Sequence, residues 1–324
     1  MASVAFIFPG QGSHAVGMGQ ALAAASPAAA SVFEAADAAL DEPISALAWG
    51  GPEDVLNLTE NAQPALLATS IAYLAAINER WGAAGIAAPT PAFAAGHSMG
   101  QYSAMVATGV LSLADGIRLV RERGRLMQTS GEDHEGAMAA IIGLDDVHLP
   151  ELVARAGAAG TFVVANRNAP GQVVASGERA AIEAGAEIAK ELGARRAIVL
   201  PVSVAAHSPL MAEAAFAMRE VLATVDFADP STPLLGNADA RRLTTGDACR
   251  AELVEHLTTG VDWVRAVETM VAAGVDTFIE IGPGRVLTGL IKRIATGVEV
   301  VAVDDPAAPD RLALPFAAPS PGDA

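Results

Sequence analysis

The sequence feature that most restricts the fold is a serine between two glycines, Gly-His-Ser-Met-Gly at residues 96–100, which follows a short apolar run and precedes a helix-forming segment. A strand that turns sharply into a helix needs small residues beside the turn, because Cβ atoms there would clash with the backbone. Such a turn exposes Ser98 Oγ above the end of a sheet and leaves the Met99 N–H free at the helix start. The pattern predicts an α/β fold with a hydrolase-like nucleophile elbow.

The remainder of the chain supports this fold class. Short apolar runs alternate with helical segments, an order typical of a mostly parallel sheet. The predicted strands of this sheet cover residues 4–8, 92–95, 233–236 and 277–281. We therefore predict that the elbow lies at the carboxyl edge of a sheet with helices packed against it.

One stretch of the chain has a different order of elements. Residues 132–202 are predicted to form strand–helix–strand–strand–helix–strand, which is the ferredoxin-like pattern. We predict a discontinuous large α/β catalytic domain, 1–131 and 203–303, that carries an inserted ferredoxin-like α+β subdomain, 132–202. Residues 304–324 are rich in Pro, Ala and Asp and are predicted to form a mobile C-terminal tail.

Composition narrows the classes of function. The formal net charge is -17, whereas nucleic-acid binding needs clustered Lys and Arg, so no nucleic-acid partner is expected. Cys249 is the only cysteine, which excludes an internal disulfide and cysteine pairs for a metal. The start of the chain lacks a basic segment, and the most apolar stretch, 64–77, is too short and interrupted to span a membrane. We expect a cytoplasmic protein without a membrane partner.

A serine nucleophile needs a base, and histidine is the most frequent one. The chain has six histidines, which are His14, His97, His134, His148, His207 and His256. His134 and His148 lie in polar segments and are predicted at the surface, and His97 is predicted to pack against the turn. His207 follows a predicted strand and precedes a helix, at the edge where α/β sites form. The pairing with Ser98 favours His207 as the base over a core or helix-capping role.

A glycine-flanked turn follows the first strand. Phe-Pro-Gly-Gln-Gly-Ser-His at 8–14 lacks the spacing of a dinucleotide-binding loop. Its glycines could bring backbone N–H donors close to a reacting carbonyl, or they could form an ordinary strand-to-helix turn. This segment alone does not separate the two interpretations.

Seven short motifs occur along the chain in a definite order. They are Phe8-Pro-Gly-Gln-Gly-Ser13, Gln63-Pro-Ala-Leu-Leu67, Gly96-His-Ser-Met-Gly100, Arg123-Gly-Arg-Leu-Met-Gln128, Asn166-Arg-Asn-Ala-Pro-Gly-Gln172, His207-Ser-Pro-Leu-Met211 and Glu280-Ile-Gly-Pro-Gly284. Together they closely resemble the malonyl-CoA:acyl carrier protein transacylase family and the related acyltransferase domains of polyketide synthases. The resemblance spans residues 4–303, nearly the whole chain, and seven motifs in register make it highly specific.

The resemblance implies a catalytic role for five residues. Ser98 would take the malonyl group as an ester, and His207 would be the general base. Gln11 and the Met99 N–H would form the oxyanion hole. Arg123 would pair with the free carboxylate of the malonyl group through its two-pronged guanidinium.

The resemblance also implies the surroundings of this site. The family orients its histidine with a backbone carbonyl, and that position aligns with His256. Gln63 and Asn166 would line the site or the cleft between the two subdomains. The substrate would be a coenzyme A thioester, the second partner would be holo acyl carrier protein with its phosphopantetheine, and no tightly bound cofactor or metal is implied.

Some positions depart from the family or leave a choice open. Arg121, Arg123 and Arg125 alternate along one segment, and without the resemblance the sequence does not choose among them. The family usually has Glu after the elbow, where this chain has Gln101, which changes local charge but not the catalytic groups. Related enzymes have Ser or Phe before the catalytic histidine, where this chain has Ala206. The choice between malonyl and branched extender units therefore stays open.

Three rival functions remain at this point. A discrete, trans-acting polyketide synthase acyltransferase would use the same chemistry with malonyl or branched extenders. An α/β-hydrolase esterase would need Ser, then Asp, then a late His, and Asp226 or Asp229 with His256 would fit only by leaving Arg123 unexplained. A non-catalytic carrier-docking subunit would not need an intact Ser98 with a histidine partner.

The acidic net charge bears on the carrier partner. Acyl carrier protein is expected to be acidic, so we predict a local basic patch near the mouth of the cleft. Lys292 and Arg293 are the candidates, although ordinary helix-surface charges would look the same in the sequence. We expect the enzyme to act as a monomer.

Overall fold

The computed structural model describes residues 3–133, 135–202 and 204–308. His134 and most of the predicted tail, 309–324, lie outside the described residues. The described residues form eleven strands: β1 Val4–Phe8, β2 Phe93–Gly96, β3 Gly136–Ile142, β4 Phe162–Ala169, β5 Gln172–Glu178, β6 Arg196–Val199, β7 Leu234–Leu235, β8 Arg242–Leu243, β9 Val261–Asp262, β10 Thr277–Ile281 and β11 Glu299–Val303.

The same residues form thirteen α-helices: α1 Gln20–Ala25, α2 Pro27–Leu40, α3 Ile44–Gly50, α4 Glu53–Leu56, α5 Thr59–Ala83, α6 Gly100–Ala107, α7 Leu113–Asp133, α8 Leu149–Ala156, α9 Arg179–Glu191, α10 Ala212–Leu222, α11 Gly246–Thr258, α12 Trp263–Ala272 and α13 Val286–Ile294. None of these helices is both long and apolar enough to cross a membrane.

The first sheet has six strands in the order β11-β10-β1-β2-β7-β8, and every neighbouring pair is parallel except the short β7–β8 hairpin. The central strand β1 is buried on both faces. Val4, Phe6 and Phe8 join one hydrophobic core, and Ala5 and Ile7 join a second core on the other face. Helices covering both faces explain why this strand is apolar without alternation.

The second sheet has five strands in the order β6-β3-β5-β4-β9. Its first four strands pair antiparallel, and with α8 and α9 they form the predicted ferredoxin-like unit around a third hydrophobic core. The predicted fold class, an α/β domain with a mostly parallel sheet and an inserted ferredoxin-like subdomain, is confirmed.

Strand β9 was not predicted and lies outside the range proposed for the inserted subdomain. It pairs in parallel with β4, where Asn166 lies opposite Val261. The two units therefore share this sheet, and the boundaries at 132 and 202 stay a prediction. At the other end, Ala308 is buried and Asp304 accepts a hydrogen bond from Arg285 at 2.7 Å. Both ends of the segment 304–308 therefore contact the rest of the chain, and the tail boundary after 303, like the mobility of the tail, stays a prediction.

Helix α5 is longer than the sequence predicts. Proline favours the first turn of a helix, which predicts a start at Gln63, but the helix begins at Thr59 and contains Pro64 in its interior. Proline at this position leaves Glu60 O without its usual helical donor. Helix α7 packs closely here, since a Cβ on Gly124 would lie 2.5 Å from Glu60 Cα. This packing explains a first turn that local sequence signals do not predict.

Candidate active site

The turn between β2 and α6 has the geometry of a nucleophile elbow. Ser98 has φ 53°, in the left-handed region that non-glycine residues rarely adopt. A Cβ on Gly96 would lie 2.0 Å from Gly100 C, and one on Gly100 would lie 2.3 Å from Phe8 O. Both glycines are therefore required by close backbone approach, and the strained serine is presented at the carboxyl edge of the first sheet.

His207 lies against this serine. The distance from Ser98 Oγ to His207 Nε2 is 2.8 Å. On the other side of the ring, Nδ1 lies 2.6 Å from His256 O and 3.2 Å from Thr259 O. Carbonyl oxygens only accept, so Nδ1 carries the proton and Nε2 presents its lone pair to the serine. Two backbone carbonyls thus orient the ring without a carboxylate.

The surroundings of His207 keep the imidazole neutral. Burial lowers its pKa to about 3, and the positive charge of Arg123 acts in the same direction. The hydrogen bond to His256 O opposes this shift. At neutral pH the ring is therefore able to accept a proton from the serine hydroxyl.

Arg123 reaches the same serine from α7. Its Nη2 donates to Ser98 Oγ at 3.3 Å, and its guanidinium carbon lies 6.0 Å from the centroid of the Tyr102 ring. The side chain is fully buried, and its Nε has no hydrogen-bond partner among the described residues. Burial lowers its pKa from the usual arginine value. A buried guanidinium without a carboxylate partner is costly unless an anion binds there.

The structure separates the three alternating arginines, among which the sequence chooses Arg123 only through the family resemblance. Arg121 donates to Asn61 at 2.6 Å and to Glu42 at 2.8 Å. Arg125 is about half-exposed and pairs with Glu122. Only Arg123, of these three, points at Ser98.

The loop after β1 lies against the elbow. A Cβ on Gly10 would be 2.4 Å from His97 O, so the two turns touch through backbone atoms. The Gln11 side chain points away, with Nε2 3.4 Å from Thr59 Oγ1. The N–H groups of Gln11 and Met99 have no acceptor among the described residues. The arrangement suits backbone donors at an oxyanion hole, and it gives the Gln11 side chain no part in one.

Three further predicted site residues are buried near this centre. Gln63 is fully buried, and its Nε2 lies 3.7 Å from Met127 Sδ. His256 contributes its carbonyl oxygen, while both its ring nitrogens lack partners among the described residues. Asn166 is buried on β4 opposite Val261. No hydrogen bond in the described structure joins Asn166 to Ser98 or His207.

With this geometry established, comparison with known proteins decides the family. Residues 5–304 match the acyl transferase domain family. The chain belongs to this family. The predicted acyl-transfer chemistry is therefore confirmed, and the α/β-hydrolase and non-catalytic alternatives lose their support.

Individual relatives agree with this assignment. The malonyl CoA-acyl carrier protein transacylase of Bacillus subtilis (strain 168) is 44% identical over 94% of this chain and 95% of its own length. An acyl carrier protein S-malonyltransferase of Vibrio cholerae superposes with a TM-score of 0.90 at 42% identity, covering 96% of this chain and 100% of that one. A malonyl-transacylase solved in complex with a type II polyketide synthase acyl-carrier protein superposes with a TM-score of 0.91 at 40% identity, covering 97% and 100%.

In this acyltransferase the structure explains the first departure from the family, Gln101, but not the second, Ala206. Gln101 is buried, donates to Leu235 O at 3.0 Å and accepts from the Gly96 N–H at 3.2 Å. A carboxylate at this position could not donate to Leu235 O. Only the amide can therefore link β2 and β7 through both hydrogen bonds. Ala206 is half-buried and packs against the main core beside His207. Its small side chain is next to the base, but nothing in the structure explains an extender preference.

The remaining histidines of the acyltransferase lie in other settings. His14 Nε2 lies 2.9 Å from Asn57 Oδ1, and His148 is half-buried in the second subdomain. His97 Nε2 lies 2.8 Å from Asn168 Oδ1, and burial lowers the pKa of His97. Asn168 thus connects the elbow to β4, a contact that the sequence did not indicate.

Sequence reasoning also missed Asn237, which accepts a hydrogen bond from the Ser98 N–H at 2.8 Å. An asparagine directly after a predicted strand was the only available signal. Both basic candidates, Lys292 and Arg293, are exposed, and Arg293 also donates to Pro170 O at 2.9 Å and to the Gln172 side chain. No cluster of metal-binding side chains occurs in the described part of the chain.

Proposed function

We propose that this acyltransferase moves a malonyl group from malonyl-CoA to the phosphopantetheine thiol of acyl carrier protein through a malonyl ester on Ser98. The main observation in support is that Ser98 Oγ lies 2.8 Å from His207 Nε2 and 3.3 Å from Arg123 Nη2. A nucleophile, a base and an anion-binding group thus meet at one half-buried serine. The names of the relatives support the same substrate and acceptor.

In the first half-reaction, Ser98 Oγ attacks the thioester carbonyl while His207 Nε2 takes the hydroxyl proton. The negative charge that develops on the carbonyl oxygen is stabilised by the N–H groups of Met99 and Gln11. The C–S bond then breaks, the imidazolium returns its proton to the departing thiolate, and coenzyme A leaves. The product is the malonyl ester of Ser98.

The second half-reaction reverses these roles. The carrier thiol gives its proton to His207 and its sulfur attacks the ester carbonyl. The C–O bond breaks, Ser98 Oγ recovers the proton, and malonyl-carrier protein departs. The two substrates use one centre in turn, so the kinetics are ping-pong.

Arg123 supplies selection for an acid. A malonyl group has a carboxylate beyond the reacting carbonyl, and this carboxylate pairs with the buried guanidinium. Pairing also removes part of the positive field that lowers the pKa of His207, so a correct substrate makes the base stronger. An acetyl group does neither. Gln63 and Asn166 belong to the proposal as lining residues of the cleft, and His256 as the residue whose carbonyl orients the base.

The proposal includes the cellular setting. Coenzyme A enters only as part of the substrate, and no tightly bound cofactor or metal takes part. The enzyme works as a cytoplasmic monomer, which sedimentation at micromolar concentration would test. A polyketide carrier is a second acceptor to consider, because one structural relative binds such a carrier.

One experiment tests the central claim. The protein is incubated separately with malonyl-CoA, methylmalonyl-CoA and acetyl-CoA, and its intact mass and modified peptide are measured. We expect one malonyl adduct on Ser98 and its loss when holo carrier protein is added. Fatty acid and polyketide carriers are offered in parallel to distinguish the pathways. A malonyl adduct elsewhere, or none, would contradict the proposal.

A further inference from the structure

A further contact reaches Ser98 from the turn between β7 and β8. Strand β7 pairs with β2 so that Ala94 lies opposite Leu234. Three residues further along both segments, the same pairing places Asn237 beside residue 97 in the elbow. Asn237 is buried, its Oδ1 accepts from the Ser98 N–H at 2.8 Å, and its Nδ2 donates to Gly96 O at 3.2 Å.

This contact acts on the strained part of the elbow. Ser98 has φ 53°, in the left-handed region where the Cβ of a non-glycine residue crowds the following carbonyl oxygen. The Asn237 side chain accepts from the Ser98 N–H and donates to Gly96 O, so it holds the backbone on both sides of His97 in the turn that leads into the serine. It also occupies the Ser98 N–H, which leaves the Met99 N–H as the elbow's free donor.

Asn237 is itself held by a buried carboxylate. Glu252 Oε1 accepts from the Asn237 N–H at 2.6 Å, and Glu252 Oε2 lies 3.2 Å from Arg241 Nη2. The Glu252 side chain is only 2% exposed. A Cβ on Gly236 would lie 2.9 Å from Glu252 Oε2, so glycine at this position lets the carboxylate pack onto the turn.

Glu252 belongs to α11, the helix that also carries His256. The two residues are four positions apart, about one helical turn. One turn of α11 therefore supports the serine through Glu252 and Asn237, and the next supports His207 through the His256 carbonyl at 2.6 Å. Helix α11 therefore positions both Ser98 and His207.

We propose that Asn237 and Glu252 are positioning residues: through helix α11 they hold the Ser98 nucleophile at the correct distance and orientation from His207. This inference rests on the proposed role of Ser98. In the described structure neither side chain bonds Ser98 Oγ, the His207 ring or Arg123, so their loss should slow Ser98 attack without weakening substrate binding. A displacement of the reacting atom by about 1 Å costs as much as 100-fold in rate.

The test measures single-turnover acylation over a range of malonyl-CoA concentrations, which separates the maximal rate from half-saturation. Asn237→Ala should lower the maximal rate about 10- to 100-fold and leave half-saturation unchanged. Asn237→Asp replaces the donor to Gly96 O by an oxygen with little change of volume and should lower the rate at least 10-fold, so it serves if Asn237→Ala fails to fold.

Glu252 provides a conservative rescue. Glu252→Gln retains an oxygen for the Asn237 N–H and should keep most of the rate, whereas Glu252→Ala should resemble Asn237→Ala. The matched control is Asp37→Ala on α2, which removes a carboxylate that also holds a backbone N–H, that of Ser45 at 2.8 Å, away from the site. Its unfolding midpoint and its acylation rate, measured together, show how far a loss of stability alone lowers the rate.

A second probe separates the inference from the proposed function. A small sulfonyl fluoride labels a reactive serine without using the malonyl carboxylate, and Ser98→Ala defines the background. Wild type that is labelled but never malonylated would overturn the proposed substrate and leave the positioning test available through labelling rates. Folded Asn237 variants with wild-type acylation and labelling rates, or with altered half-saturation alone, would overturn the positioning role.

Discussion

The two members of the proposed dyad are supported by different means. The turn that presents Ser98 is shaped by its neighbours in sequence, since Gly96 and Gly100 leave room for the backbone. His207 is oriented by carbonyl oxygens 49 and 52 positions further along the chain, those of His256 and Thr259. Both residues have positive φ, 53° and 59°, so both need support against strain.

This difference shows which half of the site can be read in a sequence. A turn built from glycines within five positions leaves a local pattern, because its clashes are local. A ring held by backbone carbonyls leaves none, because any residue supplies a carbonyl. Substitutions in each half of the site, and then in the groups around it, should therefore have effects that can be measured separately.

Ser98→Ala should remove acylation completely, because no other atom replaces the attacking Oγ. The elbow depends on Gly96 and Gly100, so the unfolding free energy should stay within about 1 kcal/mol of wild type. Intact mass after incubation with malonyl-CoA and urea unfolding measure the two effects. An undiminished adduct in the variant would remove Ser98 from the mechanism.

His207→Ala should slow acylation about 10²- to 10⁴-fold, the usual contribution of general-base assistance, and so less than the loss of the serine. Stopped-flow or quenched acylation rates measure this effect. His148→Ala, in the second subdomain, is the matched control and should retain the wild-type rate. Equal rates in the two variants would mean that another group accepts the serine proton.

Arg123→Ala should lower the malonyl-to-acetyl ratio of kcat/KM about 100-fold or more, which corresponds to the 3–5 kcal/mol typical of breaking a buried ion pair. Arg123→Lys should recover only part of the malonyl activity, because an ammonium cannot form two parallel hydrogen bonds. Arg121→Ala is the control. If the ratio persists in Arg123→Ala, another residue binds the carboxylate.

Methylmalonyl-CoA belongs in the same assay, since it keeps the carboxylate and adds a methyl group. Arg123 cannot reject it, and one methyl group in a pocket is worth roughly 1–3 kcal/mol at most. We expect malonyl to be preferred, with measurable methylmalonyl transfer. Complete rejection would indicate a steric barrier beyond the small Ala206.

The pH dependence should respond to Arg123. A protonated His207 cannot accept the serine proton, and its lowered pKa of about 3 keeps it neutral through mildly acidic pH. Removing the nearby positive charge in Arg123→Ala favours the imidazolium, so the acidic limb of the acylation rate should move to higher pH. Acetyl-CoA is the donor, because its binding does not need the arginine. An unmoved limb would show that burial alone sets the pKa.

A substitution in the predicted carrier-docking patch should change the reaction rate least. Lys292→Glu should weaken transfer to an acidic carrier several-fold at low salt and spare self-acylation, because rim charges mainly change association rates. Reversing Arg293 as well would be less informative, since Arg293 donates to Pro170 O and its loss would disturb the second sheet. Unchanged carrier kinetics for Lys292→Glu at low salt would rule out this patch.

The elements show the same division between local and distant information. The parallel strands β1, β2 and β10 and the ferredoxin-like order were predictable because each has its own apolar pattern. The two-residue strands β8 and β9 were not, since so short a segment has no periodicity. Helix α5 extends back to Thr59 because α7 packs against its first turn through Gly124, a contact between segments about 60 residues apart.

The sequence by itself determined the fold class, the nucleophile elbow at Ser98 and the choice of His207, because glycine spacing and strand–helix order are local properties. The family resemblance assigned the substrate carboxylate to Arg123, but the physical reason lies in the tertiary structure, where the rotation of α7 relative to α6 turns Arg123 towards Ser98 and Arg121 and Arg125 to other partners. The tertiary structure alone also brought Asn237 and Glu252 to the elbow. Their contact depends on the register of β7 against β2 and on the packing of α11, and residues 139 positions apart leave no mark of such a contact in one sequence.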